Sequence, residues 1–337
     1  MAEPTSNCKA QTAVEQAIRK WEEAGDTTAT LYISSLYDEE PIIIPYIPST
    51  VQSLYIDCNT NHIPPLPIFL KEFRISIQND LDEFPELPDS IEDLDWDASS
   101  TKSKHINFPL SLKKLSGGLS SNPEDYERLP IGLLELDVCI RLSTAPIVFP
   151  ASLESLELCI CNSPDERIES LVFPSLPNGL KTLIYKGRIN HFPVLPESLK
   201  TLDIDMSVDK PLELPDLPDG LEKLSIRHTN LRELPCSLPS SLKILDCCYT
   251  GLRRLPALPR GLGELHCDST CLTYLPVLPS MLEHLSCSNC RLECLPRLPA
   301  SLKILTCHFN KITKFPTYPP HLDALDDNIR KHLQSLD

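Results

Sequence analysis

Residues 275–294 read LPVLPSMLEHLSCSNCRLEC, the next twenty read LPRLPASLKILTCHFNKITK, and the preceding twenty read LPALPRGLGELHCDSTCLTY. Leucines, prolines and one cysteine fall in the same places each time, so the unit is a repeat and every motif inside it has to be read in that frame. The pattern Leu-x-x-Leu-x-apolar extends over the chain in fourteen units, whose first positions are Val51, Leu70, Ile91, Leu112, Leu133, Leu153, Leu180, Leu199, Leu221, Leu242, Leu262, Leu282, Leu302 and Leu322. Their spacing is 19 to 22 residues, with one gap of 27. A degenerate unit precedes them at TATLYISS, with Leu31 and Ile33 as its inward residues.

Within a unit the fourth and sixth positions are apolar and alternate with polar neighbours, as in Leu202 and Ile204 or Leu224 and Ile226. That period of two predicts one short strand per unit. About twenty residues leave no room for a crossover helix, so successive parallel strands have to stack as a solenoid. The return segments, such as LPDLPDG and LPALPRG, carry paired prolines that exclude an α-helix and favour extended, polyproline-like backbone. The expected fold is a leucine-rich-repeat solenoid, with parallel strands on the concave face and extended or 3₁₀ structure on the convex side. At the ninth position, Thr229, Thr250, Thr270, Cys290 and Asn310 are placed to hydrogen-bond the buried backbone after the strand, and Asn59 does so in an early unit.

Solenoid ends expose core and need covers. At the front, Val14, Ala17, Ile18 and Trp21 form one stripe of an amphipathic helix, with Ser6 or Asn7 as N-cap and Gly25 as terminator. At the back, Ile329, Leu333 and Leu336 make a shorter stripe behind Asp327. The expected organisation is an N-terminal helical cap over 1–27, a solenoid over 28–326 and a short C-terminal cap over 327–337.

A formal charge of −16 argues against nucleic acid or an anionic membrane as the main ligand, because both attract Lys and Arg. A protein with a basic or polar surface is the expected partner. The first residues lack the basic start and apolar core of a signal peptide, and no window nears the ~18 apolar residues that span a bilayer. A soluble, cytoplasmic chain without membrane insertion is expected; its oligomeric state is left open. Fourteen cysteines without such a signal suggest a reducing compartment, and Cys247, Cys267, Cys287 and Cys307 recur with the leucine period, which makes them core residues.

These repeats resemble the bacterial leucine-rich-repeat proteins with Leu-Pro-x-Leu-Pro units, typified by effectors delivered into host cells by type III secretion. Arrays with cysteine at the sixth position also resemble leucine-rich-repeat proteins of giant DNA viruses. That resemblance implies a protein-binding scaffold acting in a host cytoplasm. Many of the effectors carry a ubiquitin-ligase domain with a Cys-x-Asp motif, which occurs nowhere in this sequence, so ligase activity does not carry over.

Cys287 and Cys290 form a Cys-x-x-Cys, yet in the repeat frame one is an inward strand position and the other a ladder position. His266, His284 and His308 occupy the fifth, third and seventh positions of successive units and do not converge on one ion. No metal, cofactor or catalytic constellation is expected. The third, fifth and seventh positions line the concave face, and their acids are uneven: Asp93, Asp95 and Asp97 in one unit, Glu135 and Asp137 in another, then Glu157, Asp203, Asp205, Asp246, Glu264 and Asp268. Like charges at strand spacing repel, which makes this set a candidate partner-binding surface, interrupted by Arg74, Lys186 and Arg227. The expected function is a non-enzymatic scaffold binding a protein on this face; the alternatives are an adaptor for a ubiquitin ligase supplied by another chain, or a structural component of an assembly.

Overall fold

The computed structural model describes residues 6–35, 41–77, 81, 83–96, 106–117, 128–140, 147–160, 174–187, 192–205, 213–313, 316–319 and 322–324. Asp97 and the expected C-terminal cap lie outside the described residues. The chain falls into two compact units, Met1–Ser155 and Leu156–Asp337.

The first unit opens with α1 (Ser6–Ala24). Val14 and Ile18 are fully buried on its stripe, while Ala17 and Trp21 are half-buried. The Trp21 indole N–H donates to the Ala29 carbonyl at 3.0 Å and ties the helix to the first strand's approach. Gly25 ends the helix in the left-handed region (φ 67°), where a Cβ would be strained, and its N–H donates to Glu22 at 3.2 Å.

Six strands follow: β1 (Leu31–Ser34), β2 (Ser53–Asp57), β3 (Glu72–Ser76), β4 (Asp93–Trp96), β5 (Lys114–Gly117) and β6 (Glu135–Ile140). Each pairs in parallel with the next in equivalent register, Leu54 against Phe73 and then Leu94, Leu115 and Leu136. The second unit carries β7 (Ser155–Ile160), β8 (Thr182–Gly187), β9 (Thr201–Asp205), β10 (Lys223–Arg227), β11 (Ile244–Asp246), β12 (Glu264–His266), β13 (His284–Ser286), β14 (Ile304–Thr306) and β15 (Asp323–Ala324). From β8 to β15 it repeats the same parallel register. The leucine-rich-repeat solenoid with a helical cap is thus the fold.

Every repeat enters its strand through one turn. The N–H of the first-position residue donates to the carbonyl of the proline three residues earlier, from Val51 to Pro48 (3.1 Å) through to Leu322 and Pro319 (3.3 Å). The first positions from Val51 to Leu302 are all fully buried. At ~1.5–3 kcal/mol for each large aliphatic side chain, this column and the fourth-position column dominate the core. Behind the strands the returns are extended, and the 3₁₀ element of the sequence expectation reduces to these single i→i+3 turns.

The ninth-position ladder forms as expected in four repeats. Thr250 and Thr270 donate to the carbonyls of Cys247 (2.8 Å) and Cys267 (2.9 Å), and the Cys290 thiol donates to Cys267 at 3.1 Å. The Asn310 amide reaches the carbonyls of Cys287 (2.8 Å) and Cys307 (3.0 Å). Thr229 is buried in the same place, but its hydroxyl has no hydrogen-bond partner. Just ahead of each rung, His228, Tyr249, Ser269, Asn289 and Phe309 adopt φ near 55°, a left-handed conformation without glycine.

A second ladder was not anticipated. Ser90, Ser111, Ser152, Ser198, Ser241 and Ser301, each just before a first-position residue, donate to the first-position carbonyl of the preceding repeat at 2.6–2.7 Å. These hydroxyls satisfy carbonyls that the turn would otherwise leave without a donor.

Candidate binding face

Alternation sends the third, fifth and seventh positions of each strand outward, so side chains from successive repeats stand in columns about 4.8 Å apart. In the first unit, the fifth-position column begins with Tyr32, Tyr55, Arg74 and Asp95. Tyr32 and Tyr55 meet edge to face with ring centroids 5.7 Å apart, and Tyr32 is 61% exposed. Burial, reinforced by the charge of Asp57, pushes the Tyr55 phenol above its ordinary pKa.

Asp93 sits in the third-position column between Glu72 and Lys114. Its carboxylate lies 3.9 Å from the Arg74 guanidinium, while its Oδ1 is buried without a hydrogen-bond partner. Loss of solvation raises its pKa, and Lys114 and Arg74 pull it back only in part. Glu135 pairs with Lys114 at 3.6 Å, and Asp137 accepts the Ser116 hydroxyl at 3.2 Å. Asp95 has no hydrogen bond or ion pair among the described residues.

Carboxylates of the second unit are compensated more completely. Glu157 pairs with Lys186. Arg227 stands between Asp203 (3.8 Å) and Asp246 (3.7 Å), and Ser225 also donates to Asp203 at 3.0 Å. His228 lies 3.2 Å from Asp205. Asp246 accepts the Cys248 amide at 3.1 Å, and Asp268 accepts the Ser286 hydroxyl and the Ser288 amide. Glu264 meets His266 on its own strand (3.4 Å) and His284 on the next (3.7 Å). Neighbouring strands thus supply most of these acids with a donor, and the least compensated carboxylates are those of β4.

The Cys-x-x-Cys splits as the repeat frame requires. Cys287 is fully buried in the core column, whereas Cys290 is a rung of the ladder with its thiol on the Cys267 carbonyl. Burial drives the Cys247 and Cys267 thiols far above the usual range, so neither is a thiolate at neutral pH. Among the described residues no group of three or more His, Cys, Asp or Glu is arranged to hold a metal ion. Cys139 is disulfide-bonded, whereas the cysteine usage suggested a reducing compartment.

Tyr32 and Tyr55 were missed because the outward columns were read for charge alone. Their signal was present: both occupy the fifth position that also places Arg74 and Asp95. An aromatic pair beside arginine and unpaired acid has the composition of an interaction hot spot.

No protein-family model matches the chain, and no curated protein matches it. The likeness is to solved structures. YopM from Yersinia pestis, described as a leucine-rich effector protein, aligns over 95% of this chain and 94% of its own with a TM-score of 0.60 and 21% identity. YopM from Yersinia enterocolitica aligns over 94% and 99% with 23% identity and a TM-score of 0.37. CroV588, a circular leucine-rich-repeat protein, aligns over 88% and 55% with 19% identity and a TM-score of 0.47. At these identities the likeness speaks for fold. It agrees with the resemblance drawn from the Leu-Pro-x-Leu-Pro units.

Proposed function

We propose that this protein is a non-enzymatic scaffold that binds a partner protein on its strand face, with Tyr32, Tyr55, Arg74, Asp93 and Asp95 at the centre of the contact. The observation that carries the reading is Asp93, whose buried Oδ1 lacks a donor although Arg74 and Lys114 stand beside the carboxylate. A lysine, arginine or amide from a partner would supply that donor and remove the cost of a buried, incompletely paired carboxylate. The flanking tyrosines add rigid apolar area with little entropy to lose. Glu135 and Asp137 add negative charge to the strand face of the first unit, and Glu157, Asp203, Asp205, Asp246, Glu264 and Asp268 are candidate contacts on the strand face of the second unit. The partner surface is basic or polar; a net charge of −16 disfavours nucleic acid. The likeness to an effector of Yersinia pestis supports a role as an effector inside a host cytoplasm.

Affinity capture from host lysate with the intact chain, in parallel with a variant carrying Asp93→Asn, Asp95→Asn and Asp97→Asn, tests this reading. The triple variant should lose its partner, and binding of the parent should weaken with salt because exposed charges are screened over ~8 Å at physiological ionic strength. A partner retained equally by both proteins at low and high salt would overturn it.

A further inference from the structure

Two consecutive returns of the second unit, residues 213–219 and 232–240, part to leave a groove of about 750 Å³ on the side away from the strands. The cause is one residue. In the returns of Leu214, Leu255, Leu275 and Leu295 a single residue separates the two Leu-Pro pairs, whereas Leu234-Pro235 and Leu238-Pro239 are separated by Cys236 and Ser237. The extra residue carries Cys236 outward into solvent, and Ser237 bridges to Ala257 of the next return. This bridge joins the return to its successor, and no bridge joins it to its predecessor among the described residues. The leucines differ accordingly: Leu255, Leu275, Leu278, Leu295 and Leu298 of the later returns are buried and Leu258 is half-buried, whereas Leu214, Leu217, Leu234 and Leu238 are all half-buried and floor the groove.

The walls have a definite chemistry. Pro215, Pro235 and Pro239 have no N–H, so the flanking backbone is rich in acceptors and poor in donors. No backbone hydrogen bond joins the two returns among the described residues. Glu213, Asp216 and Asp219 stand exposed on one rim without an ion pair among the described residues. On the other rim Glu233 is paired with Arg254 at 3.0 Å, and Arg232 lines the groove without an ion pair among the described residues. The volume is within the ~300–1,000 Å³ of ordinary ligand sites.

We infer that this groove docks an extended, lysine- or arginine-bearing segment of another protein, separately from the strand-face site. Two extended walls favour an extended occupant lying between them, as in other recognition of polyproline-like or strand-like peptides. Alternate apolar side chains of the segment seat on the four leucines, while its backbone N–H groups and basic side chains meet the carbonyls and the Glu213–Asp219 rim. The charge of the rim selects against an acidic segment.

The test uses the full chain and a short fluorescein-labelled peptide of alternating leucine and lysine, read by fluorescence anisotropy, with a leucine–glutamate peptide as the comparison. The lysine peptide should bind and the glutamate peptide should not. Deleting Cys236 restores the ordinary Leu-Pro-x-Leu-Pro spacing and closes the groove; it should weaken the lysine peptide at least about tenfold. The pair Glu213→Lys and Asp216→Lys should do the same with the groove left open, and a thermal melt of each variant verifies folding. The pair Asp93→Asn and Asp95→Asn should bind the peptide like the parent. Three outcomes overturn the inference: equal binding of both peptides, unchanged binding by both groove variants, or loss in the Asp93/Asp95 variant alone, which would place the peptide on the strand face. Self-association in sedimentation velocity that disappears on Cys236 deletion would also overturn it, by making a second copy the occupant.

Discussion

Asn310→Ala is a direct probe of how one repeat is fastened to the next. The Asn310 amide donates to the carbonyls of Cys287 (2.8 Å), Cys307 (3.0 Å) and His308 (3.2 Å), and its Oδ1 accepts the Leu292 amide at 3.1 Å. Alanine removes all four bonds. A neutral hydrogen bond contributes ~1 kcal/mol net, and a buried group left unpaired costs ~1–3 kcal/mol. Leu292 is fully buried, so its N–H has no water to turn to, whereas Asn310 is half-buried and water can reach the outer carbonyls. The expected cost is therefore about 2 kcal/mol, felt locally because each repeat contacts only its neighbours. Native-state hydrogen exchange should show the Leu292 amide accelerated by roughly ten- to a hundredfold, with amides of β1 and β2 unchanged. Asn310→Thr should lose about half as much, because Thr250 and Thr270 hold one carbonyl each in the equivalent place. Unaltered exchange at Leu292 in Asn310→Ala would show that the ladder does not fasten the repeats.

Gly117 sits at φ 131° opposite Trp96, and a Cβ there would lie 1.7 Å from the Trp96 carbonyl oxygen, so Gly117→Ala should destabilise by about 2–4 kcal/mol in urea denaturation. The Asp93 carboxyl has a raised folded-state pKa, so the folded state holds its proton more tightly and stability contributed by this group falls as pH rises through the acid range; Asp93→Asn should flatten that slope and leave neutral-pH stability equal or higher. In a thiol-reagent assay of the native protein, exposed Cys236 and Cys294 should react first, while buried Cys247, Cys267 and Cys287 should react only on unfolding. Phe309 is 82% exposed at φ 54°, so Phe309→Asn should raise stability by about 0.5–1 kcal/mol and Phe309→Val should lower it by a similar amount, both read from denaturation midpoints.

The leucine and proline period was legible because burial repeats it without exception: a first-position residue that is apolar in sequence is fully buried in space from Val51 to Leu302. The serine ladder was hidden by its own ordinariness. A serine in a turn fits any turn, and its bond to a carbonyl one repeat away depends on the stacking of two turns that sequence alone does not superimpose. The left-handed eighth position was hidden for a different reason, since His, Tyr, Ser, Asn and Phe carry no glycine signal there. On the candidate face, the acids were found but their compensation was not. Whether Arg227 serves Asp203, Asp246 or both depends on how a long side chain lies across three strands. The groove between two returns needed only a count of residues between leucines, a difference easily passed over when a repeat is read for its likeness rather than its exceptions.

In the second unit the bonds between strands recur with the repeat itself: Cys247 donates its amide to His266, Cys267 to Ser286 and Cys287 to Thr306, each at 2.8 Å. Cutting the chain at equivalent points in two such repeats and rejoining it gives every amide the same kind of acceptor it had before. A tandem duplication of residues 262–281 should therefore be accommodated as readily as the parent sequence, and the chain can lengthen or shorten here by recombination between its own copies. Each added copy would displace everything beyond it by one strand spacing, so the size of the surface could change in evolution without any single residue being reinvented.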